Sequence, residues 1–130
     1  MDEILGKSLE ELDGNPWGGP PADATGLMER VHRLRTVALR DLTDEDLATL
    51  LGQRQGAEWI IPLLFDRLQT DPFAGEWYPG QLLANVLLNP DYFERFPNDL
   101  LKLHRVRMEL IGIRDAADKL LADPRWPRDI

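Results

Sequence analysis

The chain of 130 residues contains no cysteine and only two histidines. Without cysteine there can be no disulfide framework and no thiolate metal ligand, a composition typical of proteins from a reducing compartment. His32 and His104 are the only side chains whose ordinary pKa lies near neutral pH, and they lie far apart in the sequence. We therefore expect neither a metal site nor an organic cofactor.

Basic residues are also in short supply, with 15 lysines and arginines against 23 aspartates and glutamates and a formal charge of −8. Such a chain repels nucleic acid, whose phosphates are negative, and attracts cationic surfaces. One cluster runs against this trend, since Arg30, Arg33, Arg35 and Arg40 form a local basic patch. We interpret it as a solvated or salt-bridged face, because nucleic-acid binding needs a larger patch and a favourable net charge.

Long hydrophobic runs are missing as well. The longest uncharged apolar stretches, 59–65 and 82–88, are far shorter than the roughly 20 residues that a transmembrane helix requires. The first residues, Met1-Asp2-Glu3, are acidic where a secretory signal would be basic. We therefore expect a cytoplasmic protein with no membrane partner.

The apolar residues recur at helical spacing, and no strand-like alternation with hairpin turns interrupts them. We predict an all-α protein, a single small bundle of about six or seven helices that ends in a long C-terminal helix. The length fits one domain, since domains commonly hold about 100–150 residues. Within it we expect residues 1–25 to form an N-terminal arm packed on the body, and residues 26–130 to form the helical domain.

The arm is predicted from its irregular composition. Ser8 and Glu11 have the capping-box spacing, and Gly14 can end a short helix in a left-handed turn. The following segment, N-P-W-G-G-P-P, holds three prolines and two glycines, which excludes regular structure. We expect Trp17 to anchor this loop on the body, because an ordered loop must bury something to offset its lost entropy.

The sequence makes specific predictions for three further helices. Thr43 is a predicted N-cap, followed by acidic residues in the first turn, where the helix dipole favours them. In the stretch 57–70, Pro62 would cost about 3 kcal/mol inside a helix, so we predict that the regular helix begins near Ile61. The final helix, predicted over about 98–122, has apolar residues alternately three and four positions apart. That spacing gives a seam for packing along neighbouring helices.

Recognisable catalytic motifs are absent from the sequence: it has no G-x-S-x-G, no C-x-x-C, no glycine-rich phosphate loop and no H-E-x-x-H. Adjacent carboxylates occur at 10–11 and 44–46, but both sets lie at predicted helix starts, where capping accounts for them. We therefore predict that the chain is not an enzyme. The alternative is a small enzyme that uses His32 or His104 together with a carboxylate.

Four large aromatic residues, Trp17, Trp59, Trp77 and Tyr78, can act either as anchors in the core or as hot spots of an interface. Anchoring is the favoured interpretation for each residue taken singly.

Six segments follow one another in a distinctive order: S-L-E-E-L-D-G at 8–14, P-W-G-G-P-P at 16–21, L-T-D-E-D-L-A-T-L-L-G-Q-R-Q-G at 42–56, P-L-L-F-D-R-L at 62–68, D-P-F-A-G at 71–75 and Y-P-G-Q-L-L at 78–83. Together they resemble the immunity proteins of contact-dependent growth inhibition (CDI) systems. The resemblance covers about residues 7–96 and rests on the order and spacing of the segments. The C-terminal helix adds little to it.

The resemblance implies a small helical, non-enzymatic protein that binds the toxic C-terminal domain of a toxin delivered by a neighbouring cell. Such toxin domains are frequently nucleases, whose basic active sites would suit an acidic inhibitor. The helical domain at 26–130 is then the immunity domain, and we expect a monomer that binds its toxin in a 1:1 complex. An acidic helical adaptor for another cytoplasmic protein remains the alternative.

The shared segments identify no binding residues by motif, because they consist of caps, turns and leucines that hold the fold. We select candidates for contact with the toxin by charge density and expected exposure. The first choices are Asp44, Glu45 and Asp46. The second choices are Glu10, Glu11, Asp13, Asp71, Glu76 and Trp77.

Overall fold

The computed structural model describes residues 2–130 and is helical, with no strand in that range. Its helices are labelled α1 to α8 in chain order, and two 3₁₀ turns lie between them. The α-helices are Asp2–Leu5, Leu9–Asp13, Gly26–Leu34, Asp44–Gly52, Ala57–Thr70, Gln81–Leu87, Pro90–Arg95 and Leu100–Leu121, and the 3₁₀ turns are Leu39–Asp41 and Pro97–Asp99. The predicted all-α class is confirmed, and α1 is the additional helix that brings the count within the described residues to eight.

Polar caps begin two of the helices where the sequence predicts them. The Ser8 hydroxyl accepts a hydrogen bond from the Glu11 N–H at 3.3 Å, and the Glu11 carboxylate accepts one from the Ser8 N–H at 3.2 Å. Thr43 and Asp46 form the same reciprocal pair at the start of α4, at 3.1 and 3.0 Å. Each cap satisfies N–H groups that the first helical turn leaves unpaired, a contribution of about 1 kcal/mol.

Helix α5 runs without interruption from Ala57 to Thr70 and contains Pro62, so the prediction that it begins near Ile61 is wrong. Proline removes one hydrogen bond and crowds the carbonyl four residues before it, here that of Glu58. Against that cost stand five side chains of this helix that are at most 1% exposed. Their burial, at about 1.5–3 kcal/mol each, exceeds the proline penalty. The five are Ile60, Ile61, Leu64, Phe65 and Leu68.

The core is built around α5, which packs against α4, α6 and α8. The contact between α4 and α6 is close, since a Cβ added at Gly52 would lie 2.9 Å from Asn85 Oδ1. One turn further on, the Asn89 amide donates to the Leu51 carbonyl at 3.0 Å. Helices α4 and α6 therefore run side by side, and the hydrogen bond from Gln81 to Glu45 places their N-terminal ends together.

The arm docks on the body through one apolar and one charged contact. Leu9 is fully buried and lies against Gly56, in the turn between α4 and α5. Arg35, only 1% exposed, donates to the Asp13 carboxylate at 2.8 and 3.0 Å and stacks on Trp17 at 4.4 Å from the ring centroid. Trp17 thus anchors the loop as predicted. Within the basic patch, Arg35 is buried and forms a salt bridge with the more exposed Asp13.

Helix α8 begins later than predicted, at Leu100, because the 3₁₀ turn Pro97–Asp99 precedes it. Only the first part of its apolar seam is covered: Val106 is 1% exposed, whereas Ile113 and Leu120 are 37% and 64% exposed. The prediction that the seam packs along neighbouring helices is therefore wrong for the C-terminal half. Within residues 2–130, that half stays open to solvent.

Replacing Gly56 by alanine tests the docking of the arm. Gly56 has φ +73°, and an added Cβ would lie 2.5 Å from Leu9 Cδ2. Gly80, with φ +87° and nothing within 4 Å of its added Cβ, provides the matched control. Both variants carry left-handed strain of about 1–2 kcal/mol, and Gly56→Ala carries a further ~1–3 kcal/mol from overpacking.

We expect urea unfolding to show the larger loss for Gly56→Ala, and the double variant with Leu9→Ala to lose less than the sum of the two single variants. Equal losses for Gly56→Ala and Gly80→Ala would contradict the docked position of Leu9.

Candidate functional site

The three first-choice carboxylates lie at the N-terminal end of α4, and each is engaged by an arginine from another helix. Arg30 of α3 donates to Asp46 at 2.9 Å and lies 3.8 Å from Glu45. Arg67 of α5 contacts both carboxylate oxygens of Asp44. The α4 terminus is therefore tied to α3 on one side and to α5 on the other.

These ion pairs reduce the exposure of the three carboxylates. The side chains of Asp44, Glu45 and Asp46 are 22%, 12% and 20% exposed. They are less exposed than their sequence suggests, because the sequence does not reveal the arginines packed on them. Their charges still contribute to the local field, since each carboxylate remains partly open to solvent.

Gln81, the first residue of α6, connects this cluster to the loop between α5 and α6. Its amide nitrogen donates to Glu45 Oε2 at 2.7 Å. Its amide oxygen accepts hydrogen bonds from the N–H groups of Glu76 and Trp77, both at 3.1 Å. Because Gln81 is only 5% exposed, these bonds are shielded from competing water. One buried side chain thus holds three of the candidate residues together.

The loop carries the most exposed candidates. Asp71, Glu76 and Trp77 are exposed, and the Trp77 residue reaches 72% exposure. The loop is nevertheless ordered by its backbone: the Gly80 N–H donates to the Phe73 carbonyl at 2.8 Å. A large aromatic side chain is therefore presented to solvent from a fixed position.

The α4 terminus, the exposed edge of α5 and this loop form one continuous region, which we call the acidic surface. Its six carboxylates and two guanidinium groups give a formal charge of −4. Trp77 follows Glu76 in the same loop, and its backbone is held by the same Gln81 side chain. The charged members are Asp44, Glu45, Asp46, Asp66, Asp71 and Glu76, with Arg30 and Arg67.

The ion pairs change the proton affinity of two members of the acidic surface. Partial burial acts to raise the pKa of Asp46, but hydrogen bonds from Arg30 and Thr43 outweigh it and hold that pKa below its usual value of 3.8. The contact with Asp44 raises the pKa of Arg67, and the charge of Glu76 adds to this increase. Glu76 is therefore near enough to Arg67 to act on it, which joins the loop to α5 electrostatically.

The three candidates from the arm have other partners. Glu10 accepts a hydrogen bond from the Trp17 N–H at 3.1 Å, Glu11 caps α2, and Asp13 binds the buried Arg35. Their bonds run within the arm and to α3, not to the acidic surface. The structure thus divides the candidates into six residues that share one surface and three that fasten the arm.

The two histidines do not form a site together. The His32 ring packs edge-on against Trp17 with centroids 4.9 Å apart, and its Nδ1 lies 3.3 Å from the Gly18 carbonyl oxygen. His104 lies exposed on α8. Over residues 2–130, no three carboxylate or imidazole side chains come together in a way that could hold a metal ion.

A comparison with protein families gives a match over most of the chain. The family model described as CDI immunity proteins covers residues 11–103. The chain belongs to the CDI immunity protein family. The family predicted from the six segments is confirmed, and with it the role of an immunity protein. The matched stretch includes every residue of the acidic surface and ends within α8.

Two further comparisons add nothing to the family match. Neither the curated proteins nor the solved structures give a match to the chain. In the part of the chain that the structure describes, no helix combines the length and the hydrophobicity needed to cross a membrane.

Sequence reasoning missed the residues that organise the acidic surface. Arg30, Arg67 and Gln81 lie 16, 23 and 36 positions away from the carboxylates that they bind. No local spacing links residues so far apart, and only the packing of α3, α5 and α6 around α4 brings them together. The sequence does show an excess of carboxylates at the start of α4. That excess predicts that a cationic side chain packs on them, but it does not identify which one.

The lowered pKa of Asp46 predicts a pH-dependent contribution to stability. A carboxyl whose folded pKa is depressed stabilises the fold fully above its unfolded pKa, and the contribution disappears as pH falls through the folded value. We expect Asp46→Asn, which retains a capping oxygen, to cost about 0.5–1 kcal/mol at pH 7. The cost should shrink below pH 3.8. Urea unfolding at pH 7 and pH 3 measures it, and an equal cost at both values would contradict the ion pair with Arg30.

Removing the amide of Gln81 should loosen the loop. Gln81→Met keeps the length of the side chain but leaves Glu45 and two loop N–H groups without their partner, at a cost of about 2–3 kcal/mol. We expect faster hydrogen exchange at the backbone amides of Glu76 and Trp77. The amides in the middle of α5 should lose protection only by the amount that the free energy of global unfolding falls. Unchanged exchange in the loop would show that Gln81 does not hold it.

Proposed function

We propose that this CDI immunity protein neutralises the toxic C-terminal domain of its cognate toxin by binding it through the acidic surface. Membership of the family supports a toxin as the partner. The position of Trp77 supports the choice of surface, because an aromatic residue that is 72% exposed beside partly desolvated carboxylates has the make-up of an interface hot spot.

The charge of the acidic surface suits a nuclease as the toxin. Nucleases hold phosphates with basic side chains, and a surface of opposite sign raises the rate of association by orders of magnitude at low salt. Occlusion of the active site needs a contact of about 800 Å² per partner, the usual size in tight inhibitor complexes. One chain then inactivates one toxin domain, without chemistry of its own.

The ordered state of the loop adds to this proposal. Side chains on a mobile loop lose entropy when they bind, whereas a preorganised group retains more of its contact energy as affinity. Gln81 and the loop backbone hold Glu76 and Trp77 before any partner arrives. The acidic surface is thus suited to fast and tight binding rather than to coupled folding.

Substitutions at the exposed positions test the surface without disturbing the fold. We expect Trp77→Ala to weaken binding of the toxin domain by about 2 kcal/mol, roughly 30-fold. Glu76→Lys should slow association at low salt and have less effect at high salt. Calorimetry and stopped-flow fluorescence with the toxin domain encoded by the adjacent gene provide the measurements.

Matched controls lie elsewhere on the chain. Trp126→Ala removes a different tryptophan, which is 50% exposed. Glu94→Lys reverses the charge of an exposed glutamate on α7. Reversal of Asp44, Glu45 and Asp46 is a poorer test, because it also breaks the cap and the pairs with Arg30 and Arg67. Wild-type affinity in both Trp77→Ala and Glu76→Lys would exclude the acidic surface. Failure of the wild-type chain to bind the adjacent gene product would favour the adaptor alternative.

A further inference from the structure

An apolar groove extends along α8 on a face that no other helix of residues 2–130 covers. It consists of two adjoining parts with volumes of about 440 and 450 Å³, which share Arg107 and Leu110. The first part lies between α6 and the start of α8, and the second between Phe73 and the middle of α8. Its apolar lining includes Leu83, Leu87, Leu103, Leu110, Ile113 and Ala117.

The groove is larger than the isolated apolar exposures that every surface has. Its lining on α8 runs from Leu100 to Ala117, about 25 Å of helix at 1.5 Å per residue. Leu100 at the start of that span is 49% exposed, and Leu87 of α6, which lines the groove beside it, is 56% exposed. A contiguous apolar strip of this length, bordered by charged side chains, marks a site of protein association.

The charge distribution along the whole of α8 favours one kind of partner, although the two charged side chains that line the groove itself, Arg107 and Arg114, are both basic. Residues 100–108 carry three basic side chains and no acidic one, whereas residues 109–123 carry four acidic and two basic side chains. The first half of the helix is therefore positive and the second half negative. A partner helix is complementary only if its charges run in the opposite spatial order, which a second copy of α8 provides when it lies antiparallel.

We propose that the protein forms a two-fold symmetric dimer in which the α8 helices of two copies lie antiparallel in each other's grooves. A symmetry axis near Gly112 places Arg107 of each copy opposite Asp118 of the other. It also places the positive first half of each α8 against the negative second half of its mate. The apolar residues from Leu110 to Leu121 then cover the groove residues of the second copy.

The proposal changes the oligomeric state expected from the sequence, which was a monomer. It does not depend on the toxin, because the groove is lined by α6, α8 and Phe73, whereas the acidic surface is formed by α4, α5, Arg30 of α3 and other residues of the loop before α6. A basic toxin would also meet the positive first half of α8 with like charge. The dimer thus leaves both acidic surfaces free, and two toxin domains can bind one dimer.

Paired charge reversals give a sharp test. Arg107 and Asp118 are both exposed and lie about 16 Å apart along one helix, too far for a contact within a chain. Arg107→Glu alone places two acidic residues opposite each other, and Asp118→Arg alone places two basic residues opposite each other. Each variant should weaken self-association about tenfold or more. A 1:1 mixture of the two should dimerise again, because every facing pair is then of opposite sign.

Sedimentation velocity over a range of concentrations provides the readout, with circular dichroism to confirm that each variant is folded. Neighbouring alanines supply a matched pair: Ala117 lines the groove and Ala116 does not, although both are exposed. We expect Ala117→Lys to dissociate the dimer and Ala116→Lys to leave it intact.

A wild-type chain that stays monomeric up to the highest concentration would overturn the proposal. So would a dimer that none of the α8 substitutions affects, or single variants whose mixture does not recover. If the wild type is monomeric and Ala117→Lys, but not Ala116→Lys, weakens binding of the toxin domain, the groove belongs to the toxin and the dimer is excluded.

Discussion

The acidic surface depends on the side chain of Gln81, which is buried where three elements meet. One amide donates to Glu45 on α4 and accepts from two N–H groups of the α5–α6 loop, so a single residue fixes the loop relative to the helix terminus. Without it, Glu45 Oε2 and the two loop N–H groups would lose their partner, which costs more than the hydrogen bonds contribute when formed. The position of Trp77 follows from this constraint, because its backbone N–H donates to the Gln81 amide oxygen.

The second organising feature is the pairing of the carboxylates at the start of α4. Arg30 and Arg67 neutralise part of the charge, yet six carboxylates against two guanidinium groups leave the surface negative. Partial pairing has a physical advantage, since three adjacent unpaired carboxylates would repel one another and destabilise the helix terminus that they also cap. The surface is therefore both stable and negative, and the carboxylates at the start of α4 that stabilise the local fold are also candidates for binding.

Local chemistry was predictable from the sequence where one helix or one turn decides it. Thr43 and Asp46 are three positions apart and form their cap as expected, and the same holds for Ser8 and Glu11. Interactions between distant segments were not predictable. Pro62 argues for a helix break when the local penalty is considered alone, but the burial of Ile60, Leu64 and their neighbours reverses the outcome. Likewise the seam of α8 has the spacing of a buried face, and only the structure reveals where the body stops covering it.

The central claim is that the toxin domain meets the acidic surface at the α4 terminus and the following loop. Hydrogen exchange of the chain with and without its cognate toxin domain tests this claim directly, because it maps the contact at backbone resolution. We expect slower exchange in the complex at the amides of Glu76 and Trp77 and in the first turn of α4, with little change along the arm. Unchanged exchange at these amides, together with protection confined to another part of the chain, would contradict it.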